Sequence, residues 1–222
     1  MKKQLLIFDF DGTIANTWQV AGRILEDVKD TYRLPPIDMD RLAELRGKSI
    51  KELLKISGLS WWQLPRFLNH TRKLFKVYID EVPPIQGMPE AIRDLQSRGC
   101  KMGILTSNSE DSVRIFLAKN NLEGFDFVLA PENLFGKAGV IKRILKYRKL
   151  HSKSVIMIGD EVRDINAATK AGVDSLAVSW GFNSEELLMS GCPTHLVRSP
   201  EEMLAYLQNE VLSQNDAISP DV

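Results

Sequence analysis

The chain is short of the residues that build thiol, imidazole and soft-metal chemistry. Among its 222 residues are two cysteines, Cys100 and Cys192, far apart and outside any CxxC pair. That pattern excludes a zinc-ribbon or dithiol redox motif, and the expectation is two reduced thiols packed as small hydrophobes. The three histidines, His70, His151 and His195, have no partner at i+4, so a His-built transition-metal site is not expected. Long apolar runs are missing too, since none approaches the roughly 20 residues of a membrane helix. The N-terminal "LLIF" runs straight into Asp9 instead of extending into the apolar stretch of a signal peptide. A cytoplasmic location with no membrane partner is the expectation. Neither sign of charge prevails, with 29 basic and 29 acidic side chains, which removes the electrostatic case for general nucleic-acid binding.

What is present is a rhythm of short apolar runs alternating with amphipathic stretches. "QLLIFDF" (4–10), "KMGILTS" (101–107), "FDFVLA" (125–130), "SVIMIGD" (154–160) and "DSLAVSW" (174–180) read as strands. Between and after them, 88–99, 109–121, 137–149, 162–172 and 199–210 carry helical spacing, with Ser109 placed to cap one helix and Gly172 to end another. Strands alternating with helices at this spacing predict an α/β fold, a Rossmann-like parallel sheet covered on both faces. Residues 16–83 break the rhythm: 18–32, 38–46, 49–57 and 65–79 read as amphipathic helices, punctuated by "LPPID" and "VPPIQG". The predicted organisation is a core of 1–15 and 84–212, a small all-α domain of 16–83 inserted after the first strand, and a polar tail of 213–222.

In an open parallel sheet, ligands bind beyond the carboxyl ends of the strands. Those ends carry Asp9 and Asp11, then Thr106, Ser107 and Asn108, then Lys137 at a helix start, then Asp160, Glu161 and Asp164. Each alone is ordinary; together they put acids, a hydroxyl and an ammonium on one rim. Carboxylates crowded in one crevice repel unless a cation joins them. The oxygen-only set Asp9, Asp160 and Asp164 selects a hard ion, Mg²⁺ first. A metal and a lysine would also let a carboxylate approach a phosphoryl group, itself an anion. Gly12 frees the backbone to turn back over the site.

"DFDGT" (9–13), Thr106, Lys137 and "GDEVRD" (159–164) resemble, in order and spacing, the four motifs of the haloacid dehalogenase-type phosphohydrolases. The "GMPEAIRDLQSRG" and "SWGFNSEELL" segments resemble the phosphoglycolate-phosphatase branch, and the helical insert looks like that family's C1-type cap. The resemblance implies a Mg²⁺-dependent phosphatase acting on a small phosphorylated metabolite. Asp9 would be the nucleophile forming an aspartyl-phosphate, and Asp11 the acid and then base. Mg²⁺ would be held by Asp9, the Asp11 carbonyl and Asp160, with Asp164 as ligand or neighbour. Thr106 and Lys137 would bind the phosphoryl oxygens, and Gly12, Thr13, Ser107 and Asn108 would line the pocket. "LRGKSIKE" (45–52) resembles the family's cap loop, so Arg46 and Lys48 are candidates for substrate choice, against a plain reading as a solvated helix start. The acid Asp11 speaks against dehalogenation, which does not need it. "SWWQL" (60–64), Trp180 and Phe182 are read as packing residues before pocket walls. Glu161, Arg163 and His151 receive no catalytic role. Competing readings are a phosphomutase, a non-enzymatic phospho-aspartate switch and a degenerate binding module; monomer and homodimer stay open.

Overall fold

The computed structural model describes residues 3–36, 45, 48, 50–131 and 136–212. Six short strands form one sheet: β1 (Leu5–Phe8), β2 (Met102–Leu105), β3 (Phe127–Leu129), β4 (Val155–Gly159), β5 (Asp174–Val178) and β6 (His195–Val197). Their order is β3-β2-β1-β4-β5-β6, and every pairing is parallel. Helices α1 (Trp18–Tyr32), α2 (Ile50–Ser57), α3 (Leu64–Tyr78) and α4 (Met88–Ser97) fall between β1 and β2. Then α5 (Glu110–Lys119), α6 (Lys137–Arg148), α7 (Val162–Ala171) and α8 (Glu185–Ser190) each join one strand to the next, and α9 (Pro200–Leu212) follows β6.

The sheet is buried on both faces, which is why its central strands read as unbroken apolar runs. Successive side chains point to opposite faces. Leu6, Phe8, Ile104, Ile156 and Ile158 therefore enter one core, with Ile92 of α4, Phe116 of α5 and Leu207 of α9. Leu5, Ile7, Val155 and Met157 enter the other, against Ile141 of α6 and Ala168 of α7. Each large side chain so enclosed contributes about 1.5–3 kcal/mol relative to exposure. The caps anticipated from sequence are in place: the Ser109 hydroxyl accepts from the Ser112 N–H at 3.2 Å, and Gly172 closes α7 at φ 75°.

The helical insert is anchored from below. Val20 and Ile24 of α1 and Phe75 of α3 belong to the main core, while Val28, Tyr32 and Leu54 form a small core of their own with Leu34 and Leu59. Its entering and leaving chains pair with each other: the Asn16 N–H donates to the Pro83 carbonyl and the Ile85 N–H to the Ile14 carbonyl, both at 2.9 Å. Among the described residues, no helix is long and apolar enough to cross a membrane.

Several sequence expectations need amending. The strand β6 and the helix α8 were not anticipated; both are very short, and β6 begins on an exposed His195. Trp61 and Trp62 pack into neither a pocket wall nor the insert's core: Trp62 is 94% exposed. Cys192 is exposed and Cys100 only half-buried, so the thiols are not both core residues. The helix read over 38–46 and the tail 213–222 lie outside the described residues, Leu45 excepted.

Candidate active site

The strand order reverses direction beside β1: the chain builds outward through β2 and β3 on one side, then returns to start β4 on the other. Such a switch point leaves a crevice beyond the strand ends. Asp9 leaves β1 there, its N–H held by the Ile158 carbonyl of β4 at 2.8 Å. Asp160 follows β4, Thr106 follows β2, and Lys137 opens α6 beyond β3. All four are buried, as is Asp164 on the first turn of α7. The sequence pattern therefore does bring its rim residues into one place.

Asp9, Asp160 and Asp164 each offer a carboxylate oxygen within 4.8 Å of the others. Lys137 Nζ lies 2.8 Å from Asp9 Oδ2 and 2.6 Å from Asp164 Oδ1. Asp9 Oδ1 accepts from the Phe10 N–H at 2.7 Å, but Oδ2 is buried with no aligned hydrogen-bond donor. Asp160 is clasped by the Thr13 hydroxyl at Oδ1 and the Phe182 N–H at Oδ2, each at 2.7 Å. Asp164 Oδ2 accepts from the Glu161 N–H at 3.2 Å, a contact that also caps α7. Burial raises the Asp160 carboxyl well above its ordinary value, helped by the charges of Glu161 and Asp9. Burial and Asp9 push Asp164 up to about 7. Burial works against the Lys137 ammonium, but Asp164 and Asp9 outweigh it and raise its pKa. A buried, all-oxygen trio of acids crowded around the Lys137 ammonium fits a hard divalent cation.

Asp9, Asp160 and Asp164 are fully buried, whereas Asp11 is half-buried. Its carboxylate receives the Asn108 amide at 3.3 Å, and burial followed by the charge of Asp9 pushes it up to about 7. A carboxyl held near neutrality can carry a proton at working pH and give it up. The turn below it requires glycine: Gly12 has φ +72°, and a Cβ there would lie 2.3 Å from Asp160 Oδ2. The Thr106 hydroxyl accepts from the Asn108 N–H at 2.9 Å, so the chain after β2 curls into a tight turn at the rim. Ser107 lines the mouth and receives an Arg163 N–H at 3.3 Å.

Several residues at the site were not picked out from sequence. Phe182 lines the mouth as well as holding Asp160, so it is more than a packing residue; Trp180 packs on the core and donates to the Thr13 carbonyl at 3.1 Å. The Arg163 side chain is 13% exposed and pairs with Glu161. Burial disfavours its charge, but Glu161 and Asp9 override that and raise its pKa. Arg72 of α3 and Thr17 before α1 line the cavity that opens from Asp11. Lys48 is half-buried and lines neither that cavity nor the larger one beside it, and Arg46 lies outside the described residues.

The model of the haloacid dehalogenase-like hydrolases matches residues 6–178. Phosphoglycolate phosphatase of Synechococcus elongatus is 30% identical over 202 residues, spanning 90% of this chain and 95% of that protein. Pyrophosphatase PpaX of Bacillus cereus is 24% identical over 214 residues, spanning 94% and 98%. A solved haloacid dehalogenase-like family hydrolase from Streptococcus pneumoniae superimposes with a TM-score of 0.78 at 22% identity, over 93% of this chain and 99% of that one. The chain belongs to the haloacid dehalogenase-like hydrolase family and is a hydrolase.

Proposed function

We propose that the protein is a phosphatase that hydrolyses a small phosphomonoester through a phosphoryl group carried on Asp9, in the manner of its phosphoglycolate phosphatase relative. The observation that carries this reading is the buried cluster of Asp9, Asp160 and Asp164 around Lys137, with Asp11 beside it. Asp9, Asp160 and Asp164 would hold Mg²⁺, with the Asp11 carbonyl completing the set. When bound, Mg²⁺ supplies positive charge that offsets the crowded acids and the incoming phosphoryl oxygens.

The chain's own groups then divide the work. Lys137 and Thr106 hold the phosphoryl oxygens, aided by Gly12, Ser107 and Asn108. A carboxylate oxygen of Asp9 attacks phosphorus, the bond to the alcohol oxygen breaks, and Asp11 gives that oxygen its proton. Asp11, now ionised, takes a proton from water as the water oxygen attacks the same phosphorus. The bond from Asp9 to phosphorus breaks, releasing inorganic phosphate and restoring both acids. The insert 16–83 acts as a cap over this site, and the partner is a small phosphorylated metabolite of the cytoplasm. Phosphate release from a panel of phosphomonoesters, with Mg²⁺ and with EDTA, tests the reading. Turnover with Mg²⁺ that stops in EDTA supports it; no release from any ester, or metal-independent release, contradicts it.

A further inference from the structure

One enclosed cation takes no part in the chemistry above. Arg163 is the second residue of α7, and its side chain is almost wholly out of solvent. Its Nη2 donates to Glu161 Oε1 and, at 3.3 Å, to Ser107 Oγ. Its Nε is buried with no hydrogen-bond partner, and its Nη1 makes no hydrogen bond among the described residues. One nitrogen of the fork is engaged and two are idle. A guanidinium placed for stability alone would not be left so. Taking it out of water costs several kcal/mol, repaid only when its remaining donors are satisfied as well. The pair with Glu161, two residues earlier, holds no separate elements together and would form equally at the surface.

The surroundings of Arg163 locate it in the site. It lines a cavity of about 410 Å³ together with Asp11, Ser107 and Glu161. The charge of Asp9 favours its cation second only to that of Glu161. Among the cations acting on Asp11, Arg163 comes before Lys137. Lys137 is held on the other side, between Asp9 and Asp164. Two cations thus flank the nucleophile, one by the metal cluster and one by Asp11 and Ser107. Phosphoryl transfer spreads negative charge over three equatorial oxygens. In the reading above, the oxygen turned toward Ser107 meets neutral groups alone. The fork of Arg163 already reaches that serine, and a phosphoryl oxygen is the planar, anionic partner such a fork matches.

We infer that Arg163 is a further catalytic residue, whose idle guanidinium donors bind a non-bridging phosphoryl oxygen on the Ser107 side and stabilise the charge of the transferring group. Glu161 holds the fork in place by its engaged edge. Arg163 stays protonated throughout, and no bond is made or broken at it. The inference rests on the phosphatase reading above.

The test uses Arg163→Met, which removes the fork, at saturating Mg²⁺ with p-nitrophenyl phosphate and 2-phosphoglycolate. In the variant kcat/KM should fall roughly 10²–10³-fold. The factor should be the same for both esters, because the contact is to the phosphoryl group and not to the alcohol. Inhibition by orthovanadate, which adopts the trigonal-bipyramidal geometry of the transferring group, should weaken by a similar factor. A Ser107→Ala background separates contact from positioning: the Arg163→Met loss persists there if Arg163 touches the phosphoryl group, and vanishes if it acts by holding Ser107. A loss below about threefold overturns the inference. So does a loss confined to one ester, one that vanishes in Ser107→Ala, one that leaves orthovanadate inhibition unchanged, or one that more Mg²⁺ reverses. If Arg163→Met does not fold, Arg163→Lys carries the test. Charge without the fork should still cost roughly 10-fold in both turnover and orthovanadate affinity, and full activity overturns the inference. A wild type that releases phosphate from neither ester fails the phosphatase reading itself, and the inference with it.

Discussion

Lys137 is the buried cation on which the acid cluster depends, and removing it exposes how the site is balanced. Its side chain is 2% exposed, and the ammonium sits 2.8 Å from Asp9 and 2.6 Å from Asp164. Replacing it by methionine keeps most of the volume and deletes the charge. Breaking a buried pair by removing one partner costs about 3–5 kcal/mol, because the remaining charge is stranded. That is a large share of the ~5–15 kcal/mol that holds a domain folded. The cost is bounded by protonation: Asp164 is already pushed up to about 7, and losing Lys137 raises it further. At about pH 8 in EDTA, Lys137→Met should therefore lose several kcal/mol, and at about pH 6 less, because the stranded carboxyl takes a proton instead. Lysine itself stays charged across this window, since its raised folded value is passed only at alkaline pH. Urea unfolding followed by the fluorescence of the four tryptophans reads the difference. A loss below about 1 kcal/mol at pH 8, or one that grows on acidification, would refute the reasoning. Phosphatase turnover should fall by roughly 10²–10³ as an electrostatic contact to the transferring group disappears.

Three further outcomes are expected. In EDTA, Asp11, Asp160 and Asp164 all have raised values, so the folded state binds protons more tightly than the unfolded chain between about pH 4 and 7. Thermal stability should then rise as pH falls from about 8 to 6, and saturating Mg²⁺ should abolish that trend; a midpoint that falls on acidification in EDTA would contradict the raised values. Gly181→Ala should weaken Mg²⁺ binding by roughly 10- to 100-fold, because its Cβ would lie 2.2 Å from Asp160 Oδ2 and displace that carboxylate; a magnesium titration of the midpoint shift measures this, and an unchanged affinity would show that Asp160 adjusts freely. Asp11→Asn should preserve the fold yet lower kcat/KM, which reports the steps up to loss of the alcohol, by about 10²–10⁴, most severely for esters with poor leaving groups; equal losses of kcat/KM for p-nitrophenyl and alkyl phosphates would deny Asp11 its role as acid.

Much of this was legible because a parallel sheet imposes its own geometry. Once "LLIF", "MGIL" and "VIMIG" are strands of one sheet, Asp9, Thr106 and Asp160 fall on one rim without further information. Strand bounds read two or three residues long, as at β1, because the apolar Phe10 follows the buried Asp9 after the chain has left the sheet. What escaped depends on how separate elements dock. Arg163, between two acids, looks like a solvated charge until α7 turns it toward Ser107. Arg72 was one cation among several on α3. A signal did exist: it lies four residues after Leu68 and three before Phe75, on the apolar stripe of its own helix. Thr17 carries no pattern at all, since only the closure of the insert over the core buries its hydroxyl. The strand β6 has three residues, too few to show alternation.

The most direct measurement asks where the phosphoryl group goes. The protein is mixed with excess substrate and Mg²⁺, quenched in acid within the first turnovers and digested, and its peptides are weighed. The peptide bearing "LLIFDFDGT" should carry a hydroxylamine-labile phosphoryl group on Asp9, absent from Asp9→Asn, which should also release no phosphate. Sustained turnover by Asp9→Asn, or a phosphoryl group trapped on any other residue, would contradict nucleophilic catalysis by Asp9.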